Sequence, residues 1–212
     1  AFKAIGLKKN DKIIMPSINF VSSYNIVKLF GANVFLADID QFTGQMTPKN
    51  VLDCIRKFNL KKVKAILIMF NGGYPNNAEK FKKFKNLTKS FIIEDGCHAL
   101  GAVYKEKNQY YKIGSCRHSD ISTFSFHPLK SITTGEGGLV TTNSKTLFNK
   151  LKIIRSIGIK RTKFKHWDYD VIFNSLNFRL TDFQCALGIS QLRKIGKFIK
   201  KRKKIFTNYN KF

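Results

Sequence analysis

Lys130 follows Phe124-Ser125-Phe126-His127-Pro128-Leu129 and precedes the glycine-rich run Thr133-Thr134-Gly135-Glu136-Gly137-Gly138. A lysine beside glycines suggests phosphate binding, but a P-loop places its glycines before the lysine, as G-x-x-x-x-G-K-[ST], and here they come after it. The other chemistry open to a lysine is capture of a carbonyl by its neutral amine, which burial or a cationic neighbour promotes. Phe124, Phe126, Pro128, Leu129 and Ile132 predict an apolar setting that would supply the burial. Asp95 closes the apolar run Phe91-Ile92-Ile93, after Glu94, and Ser125 stands near the end of a second apolar stretch. In open α/β sheets functional groups gather beyond the carboxyl ends of strands, so Asp95, Ser125, Lys130 and the glycines point to one edge. Taken singly, Asp95 is equally a helix N-cap or turn carboxylate, and Ser125 a strand-end serine.

Elements that could carry such an edge are written in the hydrophobic pattern. Lys12 to Met15 predicts a short buried strand ending at Pro16, and Asn19 to Phe30 has helical spacing of Phe20, Tyr24, Val27 and Phe30, closed by Gly31. Val34 to Ala37 and Val63 to Phe70 predict strands, with helices over Pro48 to Phe58 and, basic and amphipathic, Asn77 to Phe84. This βα alternation predicts an α/β domain with a mostly parallel sheet. A hairpin-like stretch over Ala102 to Ile113 precedes strands at Ile121 to Phe126 and Gly138 to Thr142. A helix follows over Asn143 to Ile157, with Asn143 or Ser144 as N-cap. Residues 160–177 read as a long irregular loop. Leu180 to Phe198 predicts one long helix with Leu180, Phe183, Leu187 and Leu192 on its apolar side.

The net charge of +26 raises nucleic acid as a partner. The excess is lysine scattered over nearly every segment, whereas duplex readers favour arginine for bidentate base contacts. The dense block Lys200-Lys201-Arg202-Lys203-Lys204 reads as a solvated helix face, so neither nucleic acid nor, for want of a long apolar run, a membrane is expected as partner. Cys54, Cys97, Cys116 and Cys185 are widely spaced and form no C-x-x-C pair, which predicts no metal site and reduced thiols in a cytoplasmic protein.

Longer words of the sequence are recognisable. Glu94-Asp95-Gly96-Cys97-His98-Ala99-Leu100-Gly101-Ala102, then Phe124 to Lys130, then Thr134-Gly135-Glu136-Gly137-Gly138, closely resemble the DegT/DnrJ/EryC1/StrS family of sugar aminotransferases. Met15-Pro16-Ser17-Ile18-Asn19-Phe20 to Asp38-Ile39-Asp40 and Asn177-Phe178-Arg179-Leu180-Thr181-Asp182 to Gly188 agree, so the likeness covers nearly the whole chain in the family's order. The resemblance implies the aspartate-aminotransferase-like fold, known as fold type I, and pyridoxal 5'-phosphate as cofactor. Lys130 matches the lysine that joins the cofactor aldehyde and later carries the proton between substrate and cofactor carbons. Asp95 matches the carboxylate paired with the pyridine nitrogen. His98 matches a position beside the cofactor ring, Ser125 a hydroxyl donor to its phosphate, and Phe20 an aromatic packed on the ring. Asn177 resembles an asparagine that reaches the phosphate of the neighbouring subunit, which implies a homodimer with a shared site. Arg179 resembles a substrate-contacting or loop-orienting position, and His127 stays open between nucleotide contact and packing.

The family's Ser-Gly-Thr type phosphate turn, at a helix N-terminus upstream of this match, has no counterpart here, and Ala1 to Gly6 holds no initiator Met. The expectation is that residues 1–212 form the large cofactor-binding domain, truncated at the N-terminus and without the small C-terminal domain, and hold the cofactor weakly or not at all. Related sugar dehydratases carry histidine where Lys130 stands, so transamination is the expected chemistry. His166-Trp167-Asp168-Tyr169-Asp170, with Leu176 to Arg179 and Ala186 to Leu192, looks most like the pseudaminic acid branch. Its members aminate C4 of a UDP-linked 4-keto-6-deoxy-N-acetyl-hexosamine, usually with glutamate as donor. Two rival readings are a basic nucleic-acid-binding protein and a catalytically silent homologue. The enzyme reading requires Asp95 and Lys130 to flank one small volume.

Overall fold

A computed structural model describes residues 1–162, 165 and 167–211. The chain runs through β1 (Lys12–Pro16), α1 (Val21–Leu29), β2 (Asn33–Ala37), α2 (Pro48–Lys57), β3 (Ala65–Met69), α3 (Lys83–Leu87) and β4 (Phe91–Asp95). It continues through β5 (Val103–Glu106), β6 (Gln109–Lys112), β7 (Ile121–Ser125), β8 (Gly138–Thr141), α4 (Lys145–Arg155), β9 (Ile159–Arg161), β10 (Tyr169–Val171), α5 (Asp182–Arg193) and α6 (Ile195–Tyr209). Six strands form a mixed sheet in the order β2-β1-β3-β4-β7-β8, parallel except for β8, which pairs antiparallel with β7.

Strands buried on both faces are apolar at successive positions, and these residues divide by parity into two cores. Ile13, Met15, Ala65, Leu67, Ile93 and Ile121 face one side with Val27 of α1 and Leu147 and Ile154 of α4. Ile14, Ile66, Ile68, Ile92 and Phe124 face the other with Val51 and Cys54 of α2 and with Phe81 and Phe84. The resulting α/β sandwich sets the carboxyl ends of β1, β3, β4 and β7 along one edge.

Local chemistry fixes most boundaries. Thr47 and Asn50 form a capping box around Pro48 that starts α2, Ser144 caps α4 through Leu147 N–H, and Thr181 with Gln184 boxes the start of α5. Asn77 to Phe84 is not the regular amphipathic helix of the sequence reading: residues 78–82 wind as a 3₁₀ turn that passes into the short α3. Its phenylalanines, Phe81 and Phe84, lie three apart, a spacing the tighter 3₁₀ winding aligns on one side. The stretch read as an irregular loop contains a small antiparallel pair, β9 with β10, although Lys163, Phe164 and His166 lie outside the described residues. The single long helix is two, broken at Lys194, which ends α5 and begins α6. Its anticipated apolar side is not buried in this chain: Phe183 is 89% exposed, and Leu187 and Leu192 are also exposed.

Candidate active site

Asp95 is the last residue of β4 and is only 7% exposed. Its Oδ1 accepts the backbone N–H of Cys97 at 3.0 Å. Among the described residues no salt bridge reaches Asp95. A buried carboxylate without a cation is costly, so the arrangement favours a positively charged group placed against it.

Cys97 and His98 report what else surrounds this turn. Burial, foremost, and the Asp95 charge push the Cys97 thiol up to about 12, while the Lys130 charge works in the opposite direction. Burial lowers the His98 imidazole below its ordinary value; Lys130 lowers it further and Asp95 opposes. Both Asp95 and Lys130 therefore lie within electrostatic reach of the same two side chains. His98 Nδ1 accepts the Gly72 N–H at 3.3 Å, so in its neutral form the proton sits on Nε2. Gly73 explains the close approach: its φ is +82°, and a Cβ there would run into the His98 carbonyl oxygen.

Lys130 stands on the loop between β7 and β8. Ser125 Oγ accepts the His127 N–H at 3.3 Å, His127 O accepts the Lys130 N–H at 2.9 Å, and His127 Nδ1 accepts the Leu129 N–H at 3.3 Å. His127 Nε2 lies 3.8 Å from Glu136 Oε1, so its ring organises this turn from both nitrogens. Thr134 Oγ1 and Gln184 Nε2 both donate to the Glu136 carbonyl, at 2.8 and 2.9 Å, tying the glycine run to α5. The expected apolar enclosure of Lys130 is partial. Phe124, Phe126 and Ile132 are buried beneath the loop, whereas Pro128 and Leu129 are exposed and Lys130 is half-buried. The loop bows outward at the turn, which takes these two side chains away from the core.

Phe20 caps α1 just beyond the carboxyl end of β1, at the same sheet edge, and is 66% exposed, so it is no core residue. Asn177 and Arg179 are exposed: Asn177 bridges Ser156, and its Oδ1 accepts the Arg179 N–H at 3.2 Å. No hydrogen bond or ion pair among the described residues joins either to Asp95 or Lys130. Two residues of the site were not assigned from sequence. Cys97, read from sequence only as one of four widely spaced thiols, lies two positions from the carboxylate, and Gln184 is legible only as the N3 residue of a capping box.

The model of the DegT/DnrJ/EryC1/StrS aminotransferase family matches residues 1–212. A protein of Campylobacter jejuni subsp. jejuni serotype O:23/36 (strain 81-176) named UDP-4-amino-4,6-dideoxy-N-acetyl-beta-L-altrosamine transaminase is 38% identical over 214 residues, covering 100% of this chain and 53% of the relative. A GDP-perosamine synthase of Escherichia coli O157:H7 is 34% identical over 211 residues, covering 100% of this chain and 54% of its own length. The chain thus spans about half the length of the curated relatives it matches. Helicobacter pylori PseC, described as an aminotransferase involved in the biosynthesis of pseudoaminic acid, superposes with a TM-score of 0.82 at 30% identity, over 96% of this chain and 51% of that one. With its carboxylate and lysine at one sheet edge and a family match from end to end, the chain belongs to the DegT/DnrJ/EryC1/StrS aminotransferases.

Proposed function

We propose that this chain forms the large, pyridoxal 5'-phosphate-binding domain of an aminotransferase that converts a nucleotide-linked 4-keto-6-deoxy sugar to the amino sugar. The amino donor in this reading is an amino acid, glutamate first, and the setting is bacterial surface glycan or nonulosonic acid biosynthesis. The observation that carries it is the buried Asp95 carboxylate, which has no ion pair among the described residues, and the half-buried Lys130 acting on the same pair of side chains, Cys97 and His98. That donor set fits pyridoxal phosphate, which supplies an aldehyde for an amine and a cationic ring able to take up electron density.

Asp95 would hold the proton on the ring nitrogen through a charge-assisted hydrogen bond of about 1.5 to 3 kcal/mol. Lys130 would hold the aldehyde carbon and move the proton at the substrate carbon. His98, with Nε2–H free, would donate beside the ring, Phe20 would offer its exposed face for stacking, and Ser125 would give a hydroxyl to the phosphate. Asn177 and Arg179 are assigned in this reading across a dimer: Asn177 reaching the phosphate of a second copy, Arg179 the substrate. His127 serves the Lys130 turn in this reading, with nucleotide contact secondary. The pseudaminic acid branch is favoured by the Campylobacter relative and the Helicobacter structure. Free thiols at all four cysteines suit a cytoplasmic enzyme. A family match over the whole chain favours this reading over nucleic-acid binding, and the joint presence of Asp95, Ser125 and Lys130 over a silent homologue.

Incubation with excess pyridoxal phosphate, borohydride reduction and peptide mapping test it. Excess cofactor offsets the weak binding expected of residues 1–212, so the pyridoxyl group is expected on Lys130 well above every other lysine; even labelling across the lysines would sink the assignment.

A further inference from the structure

Helix α6 touches both halves of the site. Ile195, Phe198, Ile199 and Arg202 recur at helical spacing, so they share one stripe of α6. Ile195 and Phe198 pack on the core beneath the Asp95 edge. Gly101, with φ +87°, closes the Asp95 to Gly101 segment directly against α6: a Cβ there would lie 2.6 Å from Ile199 Cδ1 and 3.3 Å from Ile195 Cδ1. One turn further, the Arg202 guanidinium donates through one nitrogen, Nη2, to the Lys130 carbonyl at 3.0 Å and to the Leu129 carbonyl at 3.4 Å. Among the described residues no backbone N–H takes either of these carbonyls. Lys200, Lys201 and Lys204 fall elsewhere around the helix, so the basic block holds one member aimed at the site.

We infer that Arg202 is a positioning residue for Lys130. It fixes the backbone on which the lysine rides, while Ile195 and Ile199 seat the same helix on the segment that carries Asp95, Cys97 and His98. One helix thereby sets the distance between the amine and the carboxylate. A guanidinium suits the task, because one terminal nitrogen presents two N–H groups in fixed directions, one for each carbonyl, and it stays charged at any working pH. The inference rests on the proposed role of Lys130 for its chemical meaning, though the anchor itself stands on the hydrogen bonds alone.

The test compares wild type, Arg202→Gln and Arg202→Lys by two readouts: hydrogen exchange of the amides in residues 129–134, and the share of borohydride-fixed pyridoxyl groups found on Lys130. Arg202→Gln is expected to speed loop exchange by about threefold and to lower the Lys130 share by a similar factor, since an exposed charge-assisted bond is worth little more. Exchange in β3 and β4 should not change. Arg202→Lys, which keeps charge and stem but can hold only part of the geometry, should fall between the two and serves if the Gln variant folds poorly. A Gln variant with wild-type exchange and wild-type labelling overturns the inference, as does a loosened loop whose Lys130 labelling is unaltered. A wild type whose Lys130 is labelled no more than surface lysines, with a loop that still loosens in Arg202→Gln, sinks the proposed function and leaves the anchor in place.

Discussion

The Asp95 carboxylate accepts the Cys97 N–H at 3.0 Å, and the Cys97 thiol is pushed up to about 12, by burial first and then by the charge of that carboxylate. Only the thiolate is alkylated, so Cys97 is expected to react with iodoacetamide at pH 8 more than about tenfold slower than the exposed Cys185. Asp95→Asn removes a charge that disfavours the thiolate, and should speed alkylation of Cys97 without changing that of Cys185. Mass-spectrometric time courses of each cysteine decide it; a Cys97 rate indifferent to the substitution contradicts the proximity.

Lys130→Ala and Asp95→Asn should separate chemistry from folding. Loss of the amine removes the general base, a cost of about 10² to 10⁴ in the amine-donor half-reaction, and abolishes the borohydride-fixed adduct. Asp95→Asn replaces a charge-assisted bond by a neutral one and should slow the same step by about tenfold to a hundredfold. Thermal melts close to wild type are expected for Lys130→Ala, which lies half-buried on a loop. Stopped-flow absorbance of the cofactor is the measurement, and a Lys130→Ala variant with wild-type rate would falsify the role.

Beneath the β5–β6 hairpin, Tyr104 O–H donates to His118 Nδ1 at 2.7 Å and His118 Nε2–H donates to Glu106 Oε1 at 3.1 Å. His118 is 3% exposed, and burial holds its pKa below the ordinary 6.5, against the pull of Glu106 and with smaller help from Lys82 and Arg117. Its contribution to stability is therefore present above pH 6.5 and lost as pH falls. Glu94, buried under Ser122 and Ser119, has its pKa raised above 4.5 by burial, so its contribution is present below that value and fades as pH rises through the folded pKa. Urea midpoints should rise with pH near 6 in wild type and rise less in His118→Gln, whereas Glu94→Gln should remove the opposing trend. Parallel pH profiles in all three proteins would refute both assignments. Tyr104→Phe strands a buried His118 nitrogen and should cost about 1 to 3 kcal/mol.

Gly101→Ala tests how α6 is seated. The left-handed backbone alone costs an alanine about 1 to 2 kcal/mol, and its Cβ meets Ile199. The expected result is a lower melting temperature with faster hydrogen exchange along α6 than along β1 or β3. Uniform loosening of the whole chain would mean that α6 and the sheet are not separable in this way.

Much of the sheet was legible because its strands are buried on both faces, and runs such as Ala65–Met69 and Phe91–Asp95 carry that burial in their composition. The edge with Asp95, Ser125 and Lys130 could be read because a parallel sheet assigns strand ends to one side. Periodicity was less informative where partners decide the outcome. Phe183, Leu187 and Leu192 have helical spacing, yet spacing does not say what covers a face, and in this chain they are open to solvent. The break at Lys194 carries no proline or glycine at the site itself, and the β9–β10 pair lies in a polar stretch without alternation. Arg202 was hidden in a run of like charges; only the stripe Ile195, Phe198, Ile199 distinguishes it.

The antiparallel pairing of β8 with β7 places Gly138 opposite Ser125, while Phe126 N–H bonds Gly137 O at 2.9 Å and Thr134 N–H bonds Phe126 O at 3.0 Å. Both feet of the lysine's loop are thus stitched to the same margin of the sheet. Nicking the backbone between residues 128 and 132 should leave two pieces that stay associated without a covalent link. The severed amine would keep its neighbourhood but lose its aim.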